Sequence, residues 1–233
     1  MMTTKKNKKL DLMELFGKNI KQDERIFNKQ IINVHEFYLS GEIESSEEYI
    51  QWFDTIRHAG ENDVIKMYVN SPGGDVFTAI QFMRALNETS ATVVMSVEGI
   101  CASAATMILL CGETFEISEH SMFMFHNYSS GTFGKGGEMY DQLQHERKWS
   151  EKLLRDIYKD FLTEVEITSL LDNKDIWMDG EEVVKRLEAR QEKLEAEAEA
   201  KEAAEKEEEE TPVVSNPTAP KKKPALKTET KNA

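Results

Sequence analysis

Hydrophobic and polar positions follow two different periods along the middle of the chain. Short apolar or alternating runs, typical of strands, are separated by stretches in which apolar residues recur every three to four positions, as on one face of a helix. The predicted strands are residues 31–39, 63–69, 92–97 and 122–125. The predicted helices are residues 47–59, 75–86, 103–111 and 138–162, and a shorter one that ends near Leu171. Strands that alternate with helices predict βαβ units and a layered α/β fold.

The pattern changes at Gly180, because all 12 glycines lie at or before this residue. A helix with a short apolar stripe is expected from there to Leu194. The chain then contains only Ala, Glu and Lys as far as Glu210, so it has no face to bury and is expected to be a solvated helix or a disordered acidic run. The predicted segments are a Lys-rich N-terminal segment (1–30), a body (31–194), the acidic run (195–210) and a disordered Pro/Lys-rich tail (211–233).

Composition excludes several classes of protein. The chain has 29 Lys and Arg against 43 Asp and Glu, a formal charge of −14, which argues against nucleic-acid binding. No apolar run approaches the roughly 18–20 residues that a membrane helix needs. The first residues lack the apolar stretch of a signal peptide, so we expect a cytoplasmic protein. Cys101 and Cys111 lie in one apolar stretch and are expected to be buried free thiols rather than a disulfide.

Residues suited to chemistry follow three of the predicted strands, in segments 70–74, 98–103 and 126–128. In an open α/β sheet, such strand exits are where ligands bind. The first segment contains the body's only proline, Pro72, followed by Gly73 and Gly74. Two glycines allow backbone N–H groups to face an oxyanion or an extended peptide, although the same pattern also suits an ordinary tight turn.

Ser103, at a strand-to-helix transition among small residues, is either a helix N-cap or a nucleophile that requires a base. Of the five histidines, His126 is the best candidate base, because it closes a strand directly into a glycine-rich loop. Asp175 can orient an imidazole, although pattern alone does not distinguish it from two neighbouring acids, Asp172 and Asp179. The other histidines have structural or exposed settings: His35, His58, His120 and His145.

Four segments in order resemble the ClpP family, the proteolytic subunits of the Clp protease. They are residues 67–74 (Met-Tyr-Val-Asn-Ser-Pro-Gly-Gly), 99–103 (Gly-Ile-Cys-Ala-Ser), 124–126 (Met-Phe-His) and 175–178 (Asp-Ile-Trp-Met). The resemblance extends over about residues 34–184. It implies a ClpP/crotonase-like fold of repeated βαβ units with a long handle helix at 138–162, followed here by an acidic helical extension.

The resemblance also implies a role for each candidate residue. Ser103 becomes the nucleophile, His126 the general base and Asp175 the residue that orients it. The backbone N–H groups of Gly74 and Ala104 become an oxyanion hole. The implied reaction is peptide hydrolysis through an acyl-enzyme, without a metal or an organic cofactor.

An extended substrate strand would be held between two segments of the chain. By resemblance, Gly73 and Gly74 bind it from one side, and the loop from Asn127 to Ser129 and Gly131 binds it from the other. The substrates implied are proteins or peptides. The family assembles as heptameric rings, stacked face to face through the handle helix, so a homo-oligomer of one or two such rings is expected.

Several positions depart from the usual ClpP pattern. Ala104-Ala105 replaces Met-Gly after the serine, and Asn127-Tyr128 lacks the proline that normally follows the histidine. Both variants resemble the ClpP-like proteases of phages and prophages, which mature the capsid by cutting scaffold or head proteins in the host cytoplasm. The N-terminal segment does not resemble the family's axial loop, which disfavours an AAA+ unfoldase as partner.

Two other functions remain open at the level of sequence. One is a catalytically inactive ring subunit that regulates or scaffolds, which the altered positions around the serine would explain. The other is a crotonase-type acyl-CoA enzyme, because that related fold uses paired backbone N–H groups to hold a thioester enolate. This second alternative does not need Ser103, His126 and Asp175 together.

Overall fold

The computed structural model describes residues 32–210, so the predicted Lys-rich segment and the predicted C-terminal tail lie outside the described residues. Within this range the chain forms one six-stranded sheet. Its strands are β1 (Val34–Ser40), β2 (Val64–Ser71), β3 (Thr92–Ala102), β4 (Thr114–Ile117), β5 (Met122–Phe125) and β6 (Ile176–Asp179). The alternation of strands and helices predicted from the sequence is confirmed.

The helices lie between successive strands or after them. The helices are α1 (Ile50–His58), α2 (Val76–Glu88), α3 (Ala104–Leu109), α4 (Gly136–Tyr158), α5 (Glu164–Leu171) and α6 (Gly180–Glu210). A single 3₁₀ turn, Ser46–Tyr49, directly precedes α1.

The sheet is mostly parallel and has the order β1-β2-β3-β5-β6, with β4 pairing with β3. β3 is long enough to pair with β4 near its start and with β5 near its end. Only the β5–β6 pair of the described sheet is antiparallel. The carboxyl ends of β2, β3 and β5 therefore point to the same edge of the sheet, as expected for parallel strands.

Buried apolar side chains of the strands pack against the helices. β2 alternates between more and less buried positions, with Ile65, Met67 and Val69 fully buried. Four aromatic rings cluster beside them, with centroids 4.7 to 6.4 Å apart: Tyr49, Trp52, Phe53 and Phe82. This core holds in place the sheet whose strand ends lead into the candidate segments.

Two strands and the bounds of several elements differ from the sequence predictions. The segments that form β4 and β6 were not predicted as strands, because each has only four residues and is stabilised by pairing with β3 or β5. The strand predicted to end at residue 97 continues to Ala102, so most of segment 98–103 belongs to β3 instead of following it. The long helix begins at Gly136 and ends at Tyr158 instead of residue 162. The next helix, α5, is started by the Thr163–Glu166 capping box.

The described residues divide into two compact units, with the boundary between Lys193 and Leu194. In the first unit, Val183 and Leu187 of α6 are buried in the core. In the second unit the helix continues to Glu210, and residues 195–201 are exposed. No helix among the described residues is both long and apolar enough to cross a membrane.

Candidate active site

A bulge in β3 brings the end of this strand to the site. Val69 pairs with Val97, but Ser71 pairs with Cys101, so β3 has extra residues between the two pairs. The Asn70 side chain accepts a hydrogen bond from the Ile100 N–H at 3.1 Å and holds the bulge in place. Ser103 directly follows the displaced end of this strand.

Ser103 has backbone dihedrals of φ 54° and ψ −128°, a strained conformation for a residue with a side chain. Its N–H donates to the Met124 carbonyl of β5 at 2.8 Å. Ser103 occupies the N-cap position of α3, yet its side chain makes no capping hydrogen bond. The hydroxyl therefore lacks the structural role that the N-cap interpretation assigned to it.

The Ser103 hydroxyl instead contacts a histidine. Its Oγ lies 2.6 Å from Nε2 of His126, which is the residue directly after β5. Because β3 and β5 are parallel neighbours, their ends bring these two side chains together across 23 positions of sequence. A serine hydroxyl at hydrogen-bond distance from an imidazole is the arrangement in which a base can activate a nucleophile.

The remaining histidines have other settings. His35 lies 3.8 Å from Asp63, and His58 pairs with Asp54 one turn earlier on α1. His120 is exposed in a turn. His145, which sequence reasoning set aside, lines the same cavity as Ser103.

Asp175 is exposed, and its carboxylate makes no hydrogen bond to His126 in the structure. The loop that carries it is linked to the histidine segment by another contact, from the Asn127 side-chain N–H to Asn173 Oδ1 at 3.2 Å. One competing acid, Asp179, caps α6 by accepting from the Glu182 N–H. The structure thus joins Ser103 and His126 by a hydrogen bond in which Asp175 takes no part.

The Gly73-Gly74 turn packs against Ser103 and its neighbours. A Cβ atom on Gly73, whose φ is 98°, would lie 2.6 Å from the Ser103 Cβ. Gly74 forms a parallel bridge with Ile43, in which the Ile43 N–H donates to the Gly73 carbonyl and the Asp75 N–H donates to the Ile43 carbonyl. In a parallel bridge of this kind the N–H of the bridged residue points away from the partner, so the Gly74 N–H faces away from Ile43.

A cavity of about 560 Å³ opens beside Ser103 and His126. One wall comes from α4, where the Trp149 ring stacks on Phe77 with centroids 5.5 Å apart. Met107 and Leu153 add further apolar surface. The cavity can therefore hold an apolar group next to the serine.

The loop after His126 borders this cavity without forming a strand. Ser129 and Ser130 line it, whereas Gly131 is exposed outside its lining. Ser130 donates to Glu146 of α4 at 2.7 Å, and this bond lowers the pKa of the Glu146 carboxyl. The Ser130 side chain thus links the loop to α4.

The two cysteines are free thiols, as expected, but only Cys101 is buried and Cys111 is half-buried. Cys101 is fully buried, and burial raises the pKa of its thiol far above the ordinary value. Burial raises the pKa of Cys111 to about 12. Burial thus disfavours the reactive thiolate form of both cysteines. Among residues 32–210 no cluster of three or more His, Cys, Asp or Glu side chains is arranged to hold a metal ion.

The model of the Clp protease family matches residues 18–186, most of the chain. The chain belongs to the Clp protease family. The mixed α/β architecture, with its six-stranded sheet and long α4 helix, is consistent with the ClpP fold. This membership removes the support for a crotonase-type acyl-CoA enzyme.

Curated Clp protease subunits resemble the chain at low identity. The ATP-dependent Clp protease proteolytic subunit 2 of Treponema denticola is 25% identical over 171 residues, 72% of this chain and 86% of that protein. The corresponding subunit 2 of Treponema pallidum is 24% identical over 69% of this chain and 83% of that protein. The ATP-dependent Clp protease proteolytic subunit of Streptococcus mutans is 30% identical over 52% of this chain and 64% of that protein.

Sequence reasoning missed two residues that lie behind Ser103. Thr106 and Tyr158, both buried, form a hydrogen-bonded pair next to the Ser103 carbonyl. The spacing of Thr106 three residues after Ser103 was a usable signal, because a hydroxyl at this spacing often bonds to the preceding carbonyl. Tyr158 had no such signal, since it comes from α4, 52 positions after Thr106.

Proposed function

We propose that this protein is a serine endopeptidase of the ClpP type. The observation that carries the proposal is the 2.6 Å contact between Ser103 Oγ and His126 Nε2 at the edge of a cavity large enough for a substrate side chain. Ser103 is also held in a strained backbone conformation without capping its helix. Such strain is common at functional sites, where the surrounding structure enforces it.

The reaction follows from these positions. His126 Nε2 takes the proton of the Ser103 hydroxyl as Oγ forms a bond to the peptide carbonyl carbon. The tetrahedral intermediate collapses when the C–N bond breaks and His126 gives its proton to the leaving amine. A water molecule, deprotonated by His126, then hydrolyses the acyl-enzyme and restores Ser103. This mechanism uses neither a metal nor an organic cofactor.

The oxyanion of the tetrahedral intermediate would be bound by the backbone N–H groups of Gly74 and Ala104. The direction of the Gly74 N–H, away from Ile43, supports this role, as does the packing of the Gly73-Gly74 turn against Ser103. Ala104 is the first residue of α3, so its N–H has no acceptor within the helix. Two such donors would stabilise the negative charge that develops on the oxygen of the tetrahedral intermediate.

Asp175 would orient His126 by accepting a hydrogen bond from Nδ1. The support is the register of β5 and β6, which pairs Phe125 with Ile176 and makes residues 126 and 175 the next opposed pair.

The substrate would bind as an extended strand. Gly73 and Gly74 would contact it from one side, and Ser129 and Gly131 from the other. The apolar cavity would take the side chain before the scissile bond, and its lining favours a large apolar residue.

We further propose that the protein acts as a homo-oligomeric ring of seven subunits or two such rings. Tyr140 and Leu143 on α4 are exposed apolar side chains, which supports burial of this helix against another copy. The Ala104-Ala105 and Asn127-Tyr128 variants favour a phage-type head maturation protease, which cuts capsid or scaffold proteins, over a partner of an AAA+ unfoldase. The relatives named above are ATP-dependent, so an unfoldase partner is the competing arrangement.

A covalent probe tests the activity. The purified protein is incubated with a fluorophosphonate, and its intact mass is measured beside that of Ser103→Ala. One adduct on the wild type and none on the variant is the expected result. Hydrolysis of a casein substrate that Ser103→Ala retains would contradict the proposal.

One observation favours a second candidate, a catalytically inactive ring subunit. The Asp175 carboxylate makes no hydrogen bond to His126 in the structure, so the imidazole lacks that orienting partner. An assembled oligomer without an adduct on Ser103 and without peptide hydrolysis would support this candidate against the first.

A further inference from the structure

Two buried hydroxyl groups form a chain behind the candidate nucleophile. Thr106 Oγ1 donates to the Ser103 carbonyl at 2.7 Å, and it lies 2.6 Å from the Tyr158 hydroxyl. Thr106 has one hydroxyl proton, which the Ser103 carbonyl accepts, so Tyr158 must be the donor in the second bond. The chain therefore runs in one direction, from Tyr158 through Thr106 to Ser103.

The ring of Tyr158 reaches the histidine side of the site as well. It packs edge-on against Phe125, with centroids 5.6 Å apart and an angle of 85° between the planes. Phe125 is the last residue of β5 and directly precedes His126. One side chain of α4 thus supports the serine segment with its hydroxyl and the histidine segment with its ring.

Ser103 needs such support, because its φ of 54° is unfavourable for a residue with a Cβ atom. Its carbonyl accepts from both the backbone N–H and the side-chain hydroxyl of Thr106. Burial raises the pKa of the Tyr158 phenol above its ordinary value, so this group remains a protonated donor across the range in which enzymes work. Thr106 and Tyr158 are almost completely buried, which protects both bonds from water.

We propose that Thr106 and Tyr158 are positioning residues for the Ser103–His126 pair. They hold the strained Ser103 and the end of β5 in the positions at which His126 contacts the Ser103 hydroxyl. The inference rests on the proposed function and adds to it two residues that react with nothing themselves. It gives the end of α4 a role in the site that does not depend on the proposed homo-oligomer.

The test measures the rate at which a fluorophosphonate labels Ser103, together with kcat and KM for a short peptide and the melting temperature. Tyr158→Phe removes the hydroxyl and keeps the ring. Thr106→Val removes the second hydroxyl at nearly constant volume, whereas Thr106→Ser restores it. Tyr49→Phe is the matched control, because Tyr49 is a buried tyrosine outside the cavity whose hydroxyl accepts one hydrogen bond, from the Glu44 N–H.

We expect Tyr158→Phe to lower the labelling rate and kcat roughly 5-fold, and Thr106→Val about 10-fold or more, with KM within about 2-fold of the wild type. Thr106→Ser should recover most of the rate. Adding Tyr158→Phe to Thr106→Val should cost little more, because the first hydroxyl acts through the second. Tyr49→Phe should lower the melting temperature without slowing the labelling.

Other results separate the failure of this inference from the failure of the proposed function. If Tyr158→Phe labels at the wild-type rate and only loses stability, as Tyr49→Phe does, the two residues are structural and the inference is wrong. If the wild type itself is not labelled, the proposed function fails, and the inference fails with it. Tyr158→Phe keeps the buried ring, so it decides the matter even where Thr106→Val does not fold.

Discussion

Phe125 and Ile176 form the last cross-strand pair between the antiparallel strands β5 and β6. The residues that come next in this register are His126 and Asp175. Directly opposed side chains of an antiparallel pair have Cβ atoms about 5 Å apart, within reach of a hydrogen bond between an imidazole and a carboxylate. The register thus makes Asp175 the residue that follows opposite His126, although Asp175 is exposed and makes no hydrogen bond to the ring.

Asp175→Asn should lower the rate of Ser103 labelling by about 100-fold or more, because an asparagine cannot stabilise the imidazolium that forms when His126 takes the proton. The measurement is the second-order rate constant with a fluorophosphonate. Asp172→Asn, a nearby exposed acid at the end of α5, is the control and should label at the wild-type rate. Equal rates for Asp175→Asn and the wild type would show that the site works without this acid.

Gly73→Ala should abolish peptide hydrolysis and lower stability. The new Cβ would lie 2.6 Å from the Ser103 Cβ and 2.8 Å from the Ala102 carbonyl oxygen, at a backbone φ of 98°. The turn must then move away from Ser103, and the Gly74 N–H moves with it. Gly136→Ala, where a Cβ meets no atom within 4 Å, is the matched control for hydrolysis and melting temperature. Retained activity in Gly73→Ala would contradict the packing described for this turn.

The Glu166–Arg186 pair should make stability depend on pH. Arg186 donates two hydrogen bonds of 2.8 Å to the Glu166 carboxylate, and they lower the pKa of Glu166 from 4.5 to about 2. The depressed pKa of this acid in the folded state means that its stabilisation is complete above pH 4.5 and is lost as the pH falls towards about 2.

Glu166→Gln should therefore lower the melting temperature at pH 7 by about 2–4 °C, the effect of roughly 1 kcal/mol in a domain of this size. The difference from the wild type should shrink as the pH is lowered through that window. Glu61→Gln, an exposed acid in a turn, serves as the control. A difference that stays constant at low pH would show that the charge of Glu166 does not stabilise the fold.

Truncation after Leu194 should leave the fold of the first unit intact. Residues 195–201 are exposed, so their removal takes no apolar surface from the core. We expect a change of less than about 2 °C in the melting temperature, measured by calorimetry. Truncation after Glu182 is the contrasting variant, because it removes the buried Val183 and Leu187 and should unfold the protein or destabilise it strongly.

The sequence alone determined the order of the main strands and helices and the segments that hold the candidate site. It did so because a helix and a strand each impose a local period on apolar positions, and because turns and strand exits need residues such as Gly73 and Gly74. The family resemblance over these segments added the roles expected of Ser103, His126 and Asp175. Of these roles, none follows from local pattern alone, since each residue type also has an ordinary structural use.

Tertiary structure alone decided which of these residues meet. The 2.6 Å contact between Ser103 and His126 depends on the pairing of β3 with β5, and the Thr106–Tyr158 bond depends on the packing of α4. The strand β6, and with it the position of Asp175, exists because β5 offers it a partner. Pairings between residues 23 to 52 positions apart leave no period in the sequence, because strand register and helix packing across the whole core set them.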